Sequence, residues 1–154
     1  MPLSSDADIE AFKQLFSEAA IAGGFTHIYG GWFRESPECM VVLDLQRSAF
    51  GQYFDVNIKV FVRGLFGESH ARTKEMAKTL TGDVFVRPPE RFRLALDLDE
   101  PMPWNERVQR VGGMFSEFIN PLTSDALTRS GLVSLAARGL VHLLPAVREQ
   151  LHKD

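Results

Sequence analysis

Two adjacent segments of the sequence carry polar side chains that could together form a binding surface. Segments 39–48 and 52–63 place apolar residues at every second position, which is the pattern of strands with one buried face. If a hairpin joins them at residues 49–52, the intervening polar positions share the opposite face of the sheet. Carboxylate, amide, hydroxyl and ammonium groups that converge on one surface bind small polar ligands in many proteins. The set consists of Asp44, Gln46, Ser48, Tyr53, Asp55, Asn57 and Lys59.

The alternation also predicts the register of this hairpin. Gln46 would face Asp55, and Asp44 would face Asn57. The two amides stand out because amides are poor strand formers and need a reason to lie in the middle of a sheet. Two interpretations stay open. The amides bind a ligand or a partner loop, or they form cross-strand polar pairs on an ordinary solvated face.

Arginines farther along the chain could extend this surface. Segment 91–98 alternates polar and apolar residues, so we expect another half-buried strand in which Arg91 and Arg93 point the same way. Together with Arg87 they form a group of arginines that could bind an anion, because guanidinium groups bind carboxylates and phosphates through paired hydrogen bonds. The other interpretation is a solvated face, because Glu90, Asp97 and other acidic residues are close enough in sequence to form salt bridges.

An enzyme is the second hypothesis from these residues. Asp44 or Asp55 would act as the general base, and Arg91 or Arg93 would hold an anionic substrate. The four histidines lack metal-type spacing, so no metal is expected. Cys39 has no basic neighbour in the sequence that would make it a nucleophile. The sequence contains no Walker or Rossmann glycine pattern, so no cofactor is expected.

The first hypothesis is a non-catalytic binding domain that recognises an unidentified protein or a small polar ligand through the open sheet face. A third hypothesis is a structural homo-oligomer, such as a homodimer that pairs through segment 52–63 or through the C-terminal helices. The expected binding residues are Gln46, Ser48, Asp55, Asn57, Arg91 and Arg93.

Composition narrows the class of protein. The chain has 154 residues, 45% of them hydrophobic, which predicts one domain with a single core. The net charge of −3 disfavours a nucleic-acid binder. A single cysteine excludes an internal disulfide framework. The sequence shows no signal peptide and no apolar run long enough to span a membrane, so we expect a cytoplasmic protein.

The positions of these residues depend on an α+β domain: a mainly antiparallel sheet of four to five strands with an N-terminal helix and two to three C-terminal helices packed on it. Helices are expected over 5–22, 69–80 and 104–118, after Ser124-Asp125, and over 145–152; strands are expected over 25–35, 39–48, 52–63, 83–87 and 91–98.

Several boundaries follow from local signals. Gly30-Gly31 predicts either a tight hairpin turn or a bulge within one strand. Ser69 would cap the 69–80 helix, whose few apolar residues (Met76, Ala77 and Leu80) indicate a surface element. Asn120-Pro121 should stop the helix that begins near Trp104.

The run Leu45-Gln46-Arg47-Ser48, followed by Phe54-Asp55-Val56-Asn57-Ile58, resembles a bacterial family known as domain of unknown function 4304. Gly24-Phe25 after the first helix and the aromatic-arginine pair Phe33-Arg34 fit the same pattern, as does Trp104 before a helix. Either Arg87 or Arg91 would be the family's strand arginine. The resemblance spans about residues 8–150 and implies an α+β fold. It implies no activity, cofactor or catalytic residue.

Overall fold

Five antiparallel strands form one sheet in which each strand pairs with the next strand along the chain. The computed structural model describes residues 6–67 and 70–153. The strands are β1 (Thr26–Ile28), β2 (Gly31–Glu35), β3 (Cys39–Arg47), β4 (Phe54–Val62) and β5 (Val84–Val86). The helices are α1 (Asp6–Ala22), α2 (Lys74–Lys78), α3 (Arg93–Leu96), α4 (Trp104–Met114), α5 (Asn120–Asp125), α6 (Arg129–Ala137) and α7 (Pro145–Leu151). Short 3₁₀ turns at Leu65–Gly67 and Glu90–Phe92 and a π-helix at Phe115–Ile119 complete the described elements. The predicted α+β class is confirmed.

The β3–β4 hairpin has the register that the alternation predicts. Gln46 pairs with Asp55, and Asp44 pairs with Asn57. Both strands are slightly shorter than expected. β4 also pairs with β5 on its other side. This pairing occupies the outer edge of β4 at Ile58–Val60.

The adjacent glycines after β1 belong to a hairpin and not to a bulge. Tyr29 and Gly30 form a two-residue turn with φ values of 57° and 75°, and Ile28 pairs with Gly31. Two positive φ values are typical of the hairpin turn that matches the twist of the flanking strands. Position 31 requires glycine for a steric reason, because a Cβ there would lie 2.9 Å from the Ala77 Cβ.

Helix α1 and the C-terminal helices cover one face of the sheet. Phe12 and Phe16 of α1 are fully buried. The Phe12 ring stacks on Phe54 at 5.2 Å, and the Phe16 ring meets Trp32 edge-on at 4.9 Å. Phe16 also contacts Phe115 of the π-helix, with 5.1 Å between ring centroids. These aromatic contacts fix α1 between the sheet and the C-terminal helices.

The other face of the sheet is covered at one end by α2, which is not the surface element that the sequence predicts. Met76 and Ala77 are 3% and 0% exposed, and they pack on Phe33, Met40, Val42 and Phe61 in a second apolar cluster. The helix begins at Thr73, whose side chain caps it by accepting a hydrogen bond from Met76 N. Ser69, the predicted cap, lies outside the described residues.

Segment 91–98 is not the predicted strand. It forms a 3₁₀ turn followed by α3, and Phe92, Ala95 and Leu96 are its buried residues. Their i, i+3, i+4 spacing is helical, whereas a strand would bury Leu94, which is 42% exposed. The strand prediction failed because a short amphipathic helix can also place apolar residues at alternate positions. As a result, Arg91 and Arg93 do not share one face.

The long C-terminal helix does not stop at Asn120-Pro121 as expected. The backbone N–H of Asn120 donates to Phe115 O, a π-helical hydrogen bond that continues the chain from α4 into α5. Pro121 is tolerated because it falls in the first turn of α5. In α4, Val111 and Met114 are fully buried, whereas Trp104 is 48% exposed and Val108 is 39% exposed.

The next helix begins later than Ser124-Asp125, which instead form the end of α5. Thr128 caps α6 by accepting a hydrogen bond from Gly131 N at 3.0 Å. Helix α7 starts at Pro145 as expected.

A buried hydrogen bond between α1 and β2 gives a test of the packing. Trp32 Nε1 donates to Ser17 Oγ at 3.0 Å, and both side chains are buried. Ser17→Ala should lower the free energy of unfolding by about 1–3 kcal/mol, because the indole N–H is left without a partner. Urea unfolding measures the effect. Ser134→Ala, at an exposed helical position, is the matched control, and equal losses from the two variants would contradict this packing.

Candidate functional site

Asn57 lies at the centre of a polar network on the half-covered face of the sheet. Its Nδ2 donates to Asp44 Oδ2 at 3.1 Å and to Gln46 Oε1 at 2.9 Å. Its Oδ1 accepts a hydrogen bond from Arg87 Nε at 2.9 Å. Asn57 is 4% exposed, so its side-chain partners replace the water that burial removes. We call Asp44, Gln46, Asn57, Lys78 and Arg87 the Asn57 network.

Asp44 is the buried carboxylate of this network. It is 5% exposed; Oδ2 accepts from Asn57, and Oδ1 accepts from Lys78 Nζ at 3.1 Å. Burial lowers the pKa of the nearby Lys59 amine, and the charge of Asp44 opposes that shift. Both oxygens of Asp44 are therefore held by protein groups, which does not fit the general-base role expected for it.

Lys59 connects this face to α2. Its Nζ donates to Met76 O at 3.2 Å and to Ala77 O at 2.9 Å. These carbonyls belong to the last turn of a five-residue helix, where backbone acceptors lack partners within the helix. Lys59 is 2% exposed. It is thus a structural residue and does not belong to the open surface where the sequence places it.

Beside the Asn57 network, two arginines line one cleft of about 260 Å³. Arg87 Nη2 lies 3.9 Å from Asp55 Oδ2, and Arg93 Nε lies 4.0 Å from Glu90 Oε1. The Arg93 guanidinium lies 4.8 Å from the centre of the Tyr53 ring. We call this site the Arg87–Arg93 cleft; its walls are Tyr53–Val56, Arg87–Glu90, Arg93 and Leu96.

The structure separates the predicted binding residues into four groups. Asp55 and Arg93 line the cleft, while Gln46 and Asn57 reach it only through Arg87. Ser48 accepts a hydrogen bond from Phe50 N at 3.0 Å and so stabilises the β3–β4 loop. Arg91 lines a different cavity, on the other side of segment 90–96.

Arg87 and Lys78 belong to this site but are not among the six binding residues expected from the sequence. Arg87 follows β5, in which Phe85 pairs with Lys59. Continuing this register by two residues brings Arg87 beside Asn57. The pairing of β5 with β4 was the missing information, because the alternation within β5 is too short to indicate a register. Lys78 could not be found in this way, since α2 positions it from outside the sheet.

Other chemistry receives no support from the described residues. Within residues 6–67 and 70–153, no group of three or more His, Cys, Asp or Glu side chains could hold a metal ion. No helix in the same part of the chain is both long and apolar enough to cross a membrane. Cys39 is fully buried, and burial raises the pKa of its thiol to about 12, with a smaller contribution from Glu38. Cys39 is thus an inert core residue.

The fold and this site define an α+β domain with a polar, arginine-lined cleft at one end of a half-covered antiparallel sheet. The sequence profile of the family DUF4304, a domain of unknown function, matches residues 16–125, and the chain belongs to that family. Searches of the curated proteins and of the solved structures give no significant match. The matched range contains the whole sheet, the Asn57 network and the Arg87–Arg93 cleft.

The structure also bears on the residues that resemble the family pattern. Arg87 directly follows strand β5, whereas Arg91 lies in a 3₁₀ turn. Arg87 is therefore the better match for the family's strand arginine. Trp104 is the first residue of α4, in agreement with a tryptophan at the start of a helix. Gly24 has a φ of 96°, which favours glycine at the end of the first helix.

The two amides of the network should respond differently to truncation. Asn57→Ala should lower the free energy of unfolding by about 1–3 kcal/mol, because it removes three hydrogen bonds and leaves the buried Asp44 with one partner fewer. Gln46→Ala should change it by less than about 0.5 kcal/mol, since Gln46 is exposed and water can replace its oxygen. Urea unfolding of both variants tests this difference. Equal losses would show that Gln46 is as structural as Asn57.

The buried thiol should make stability depend on pH above pH 9. The unfolded chain loses the Cys39 proton near pH 9.0, whereas the folded chain keeps it until about pH 12. Stability from this group is fully present below pH 9.0 and is lost as the pH rises, by up to about 1.4 kcal/mol per pH unit. Urea unfolding of wild type and Cys39→Ala from pH 8 to pH 11 measures the effect. The difference in free energy of unfolding between wild type and Cys39→Ala should decrease as the pH rises. A difference that stays constant would contradict the raised pKa of Cys39.

Proposed function

We propose that this protein is a non-catalytic binding domain of a bacterial cytoplasm, and that it recognises an acidic side chain of a partner protein in the Arg87–Arg93 cleft. The observation that carries the proposal is that two guanidinium groups line one cleft at 3.9 and 4.0 Å from their nearest ion-pair partners. Charge-assisted hydrogen bonds are about 2.7–2.9 Å long. Both groups therefore keep the capacity to bind an incoming carboxylate through two hydrogen bonds.

The orientation of the two arginines supports this proposal. The Nε of Arg87 is held by Asn57, which leaves its terminal nitrogens to face the cleft. Arg93 lies over the ring of Tyr53, a contact that restricts the guanidinium without using its hydrogen-bond donors. Groups that are already held in place lose less conformational entropy when a ligand binds.

A protein partner fits this site better than a free small molecule. The cleft of about 260 Å³ is smaller than the roughly 300–1,000 Å³ typical of small-molecule sites. Phe50 is 93% exposed in the loop that leads to Tyr53, and Phe85, two residues before Arg87, is 39% exposed. Aromatic residues and arginines are the types enriched in protein interfaces. An acidic side chain of the partner would enter the cleft, and the partner's surface around that side chain would cover Phe50 and Phe85.

The test uses a matched pair of blocked peptides, one carrying glutamate (acetyl-Gly-Glu-Gly-amide) and one carrying glutamine in its place. Each is titrated into ¹⁵N-labelled protein, and the Nε–Hε signals of the arginines are followed by NMR. The glutamate peptide should shift the signals of Arg87 and Arg93, whereas the glutamine peptide should not. Arg87→Gln should weaken the binding about tenfold or more, since a hydrogen bond to a charged group is worth roughly 1.5–3 kcal/mol.

Arg138→Gln is the control variant, because Arg138 pairs with Asp125 away from the cleft at 2.9 Å. It should bind the glutamate peptide as wild type does. Equal shifts from both peptides, or none from either, would overturn the proposal. Inorganic phosphate is titrated as a third probe. If it shifts Arg87 and Arg93 while the glutamate peptide does not, the cleft is a site for small anions and the partner proposal is wrong.

A further inference from the structure

A second cavity, of about 440 Å³, lies between segment 90–96 and α4, on the side of that segment away from the Arg87–Arg93 cleft. Its volume falls within the range of small-molecule sites. Phe92 and Ala95 contribute apolar surface on one side. The opposite side is formed by successive turns of α4 and the π-helix. The charged and glycine residues of the cavity are Arg91, Glu106, Arg110, Gly113 and Glu117.

Two ion pairs with different geometry belong to this cavity. Arg110 Nε donates to Glu106 Oε2 at 3.1 Å, one turn away on α4. Arg91 Nη1 lies 3.6 Å from Glu117 Oε1 across the cavity, a distance beyond that of a charge-assisted hydrogen bond. The Arg91 guanidinium lies 4.1 Å from the centre of the Phe92 ring. The Phe92 ring thus restricts the Arg91 guanidinium, while Arg91 and Glu117 stay too far apart for a direct hydrogen bond.

We propose that this cavity binds a free α-amino acid, whose carboxylate contacts Arg91 and whose ammonium group contacts Glu117. The charge balance favours a zwitterion: the cavity carries two arginines and two glutamates, so a ligand with one charge of each sign leaves every charged group paired. A dianion would leave the glutamates facing like charge. The ligand would displace this ion pair, so that Arg91 turns to its carboxylate and Glu117 turns to its ammonium group. One loose ion pair is thereby exchanged for two direct ones.

The helix beside the cavity contains a pair of glycines and is followed directly by a π-helix. Gly112 and Gly113 lie inside α4, where glycine is destabilising relative to alanine. A Cβ at residue 113 would lie 3.0 Å from Glu117 Oε2, whereas one at residue 112 would meet nothing within 4 Å. The π-helix that begins at Phe115 then places Glu117 beside Gly113. Such π-turns occur frequently at functional sites. Gly113 thus leaves room for the Glu117 carboxylate at the wall of the cavity.

L-leucine and L-glutamine are the probes, and the analogues of leucine that lack one charge are the ligand controls. These analogues are 4-methylpentanoate, without the ammonium group, and 3-methylbutylamine, without the carboxylate. Binding is followed by isothermal calorimetry and by the NMR signals of Gly113 N–H and Arg91 Nε–Hε. At least one amino acid should bind, and for leucine each analogue should bind at least tenfold more weakly. Absence of binding by both amino acids, or equal binding of leucine and its analogues, would overturn the proposal.

The two neighbouring glycines provide a matched pair of variants. Gly112→Ala and Gly113→Ala should both raise the midpoint of urea unfolding, because both replace a glycine inside a helix. Only Gly113→Ala should lower the affinity for the amino acid, by tenfold or more, since its Cβ displaces the Glu117 carboxylate. Equal affinities of the two variants would contradict the proposal. Since neither variant touches the Arg87–Arg93 cleft, both should bind the glutamate peptide as wild type does.

Discussion

The hydrogen bonds of the buried Asn57 amide constrain the half-covered face of this sheet. A buried amide without partners is costly, and Asn57 finds its partners in Asp44 and Gln46 on β3 and in Arg87 after β5. These three partners come from β3 and from the end of β5, the two strands that flank β4. A shift of either strand by one residue would turn its polar side chains to the opposite face. The network therefore fixes the register of the sheet and, through it, the direction of Arg87.

Helix α2 divides the same face into an apolar end and a polar end. A helix of five residues is too short to be stable by itself. It is held by the burial of Met76 and Ala77 and by Lys59, which binds the carbonyls of its last turn. The next residue of α2, Lys78, pairs with Asp44. One short helix thus completes an apolar cluster and also neutralises the carboxylate on which the Asn57 network depends.

Segment 90–96 separates the two arginine sites because it is helical. In a strand, Arg91 and Arg93 would point to the same face, whereas in a helix residues two apart lie on nearly opposite sides. Arg93 therefore joins the Arg87–Arg93 cleft, and Arg91 joins the cavity beside α4. Each guanidinium lies against an aromatic ring, Tyr53 for Arg93 and Phe92 for Arg91. The same segment thus contributes one arginine to each of two cavities.

The sequence by itself determined the α+β class, α1 and the parity of the β3–β4 register, because alternation decides which side chains share a face. The pairing of Gln46 with Asp55 followed from this parity together with a hairpin loop at residues 49–52. The sequence also singled out Asn57, since an amide in mid-strand needs a partner. Only the tertiary structure decided that segment 91–98 is helical, that α2 covers the sheet and that Arg87 completes the network. These features depend on short segments whose own preferences are weak. Their conformation is chosen by the contacts they make with distant parts of the chain, and local periodicity does not record those contacts.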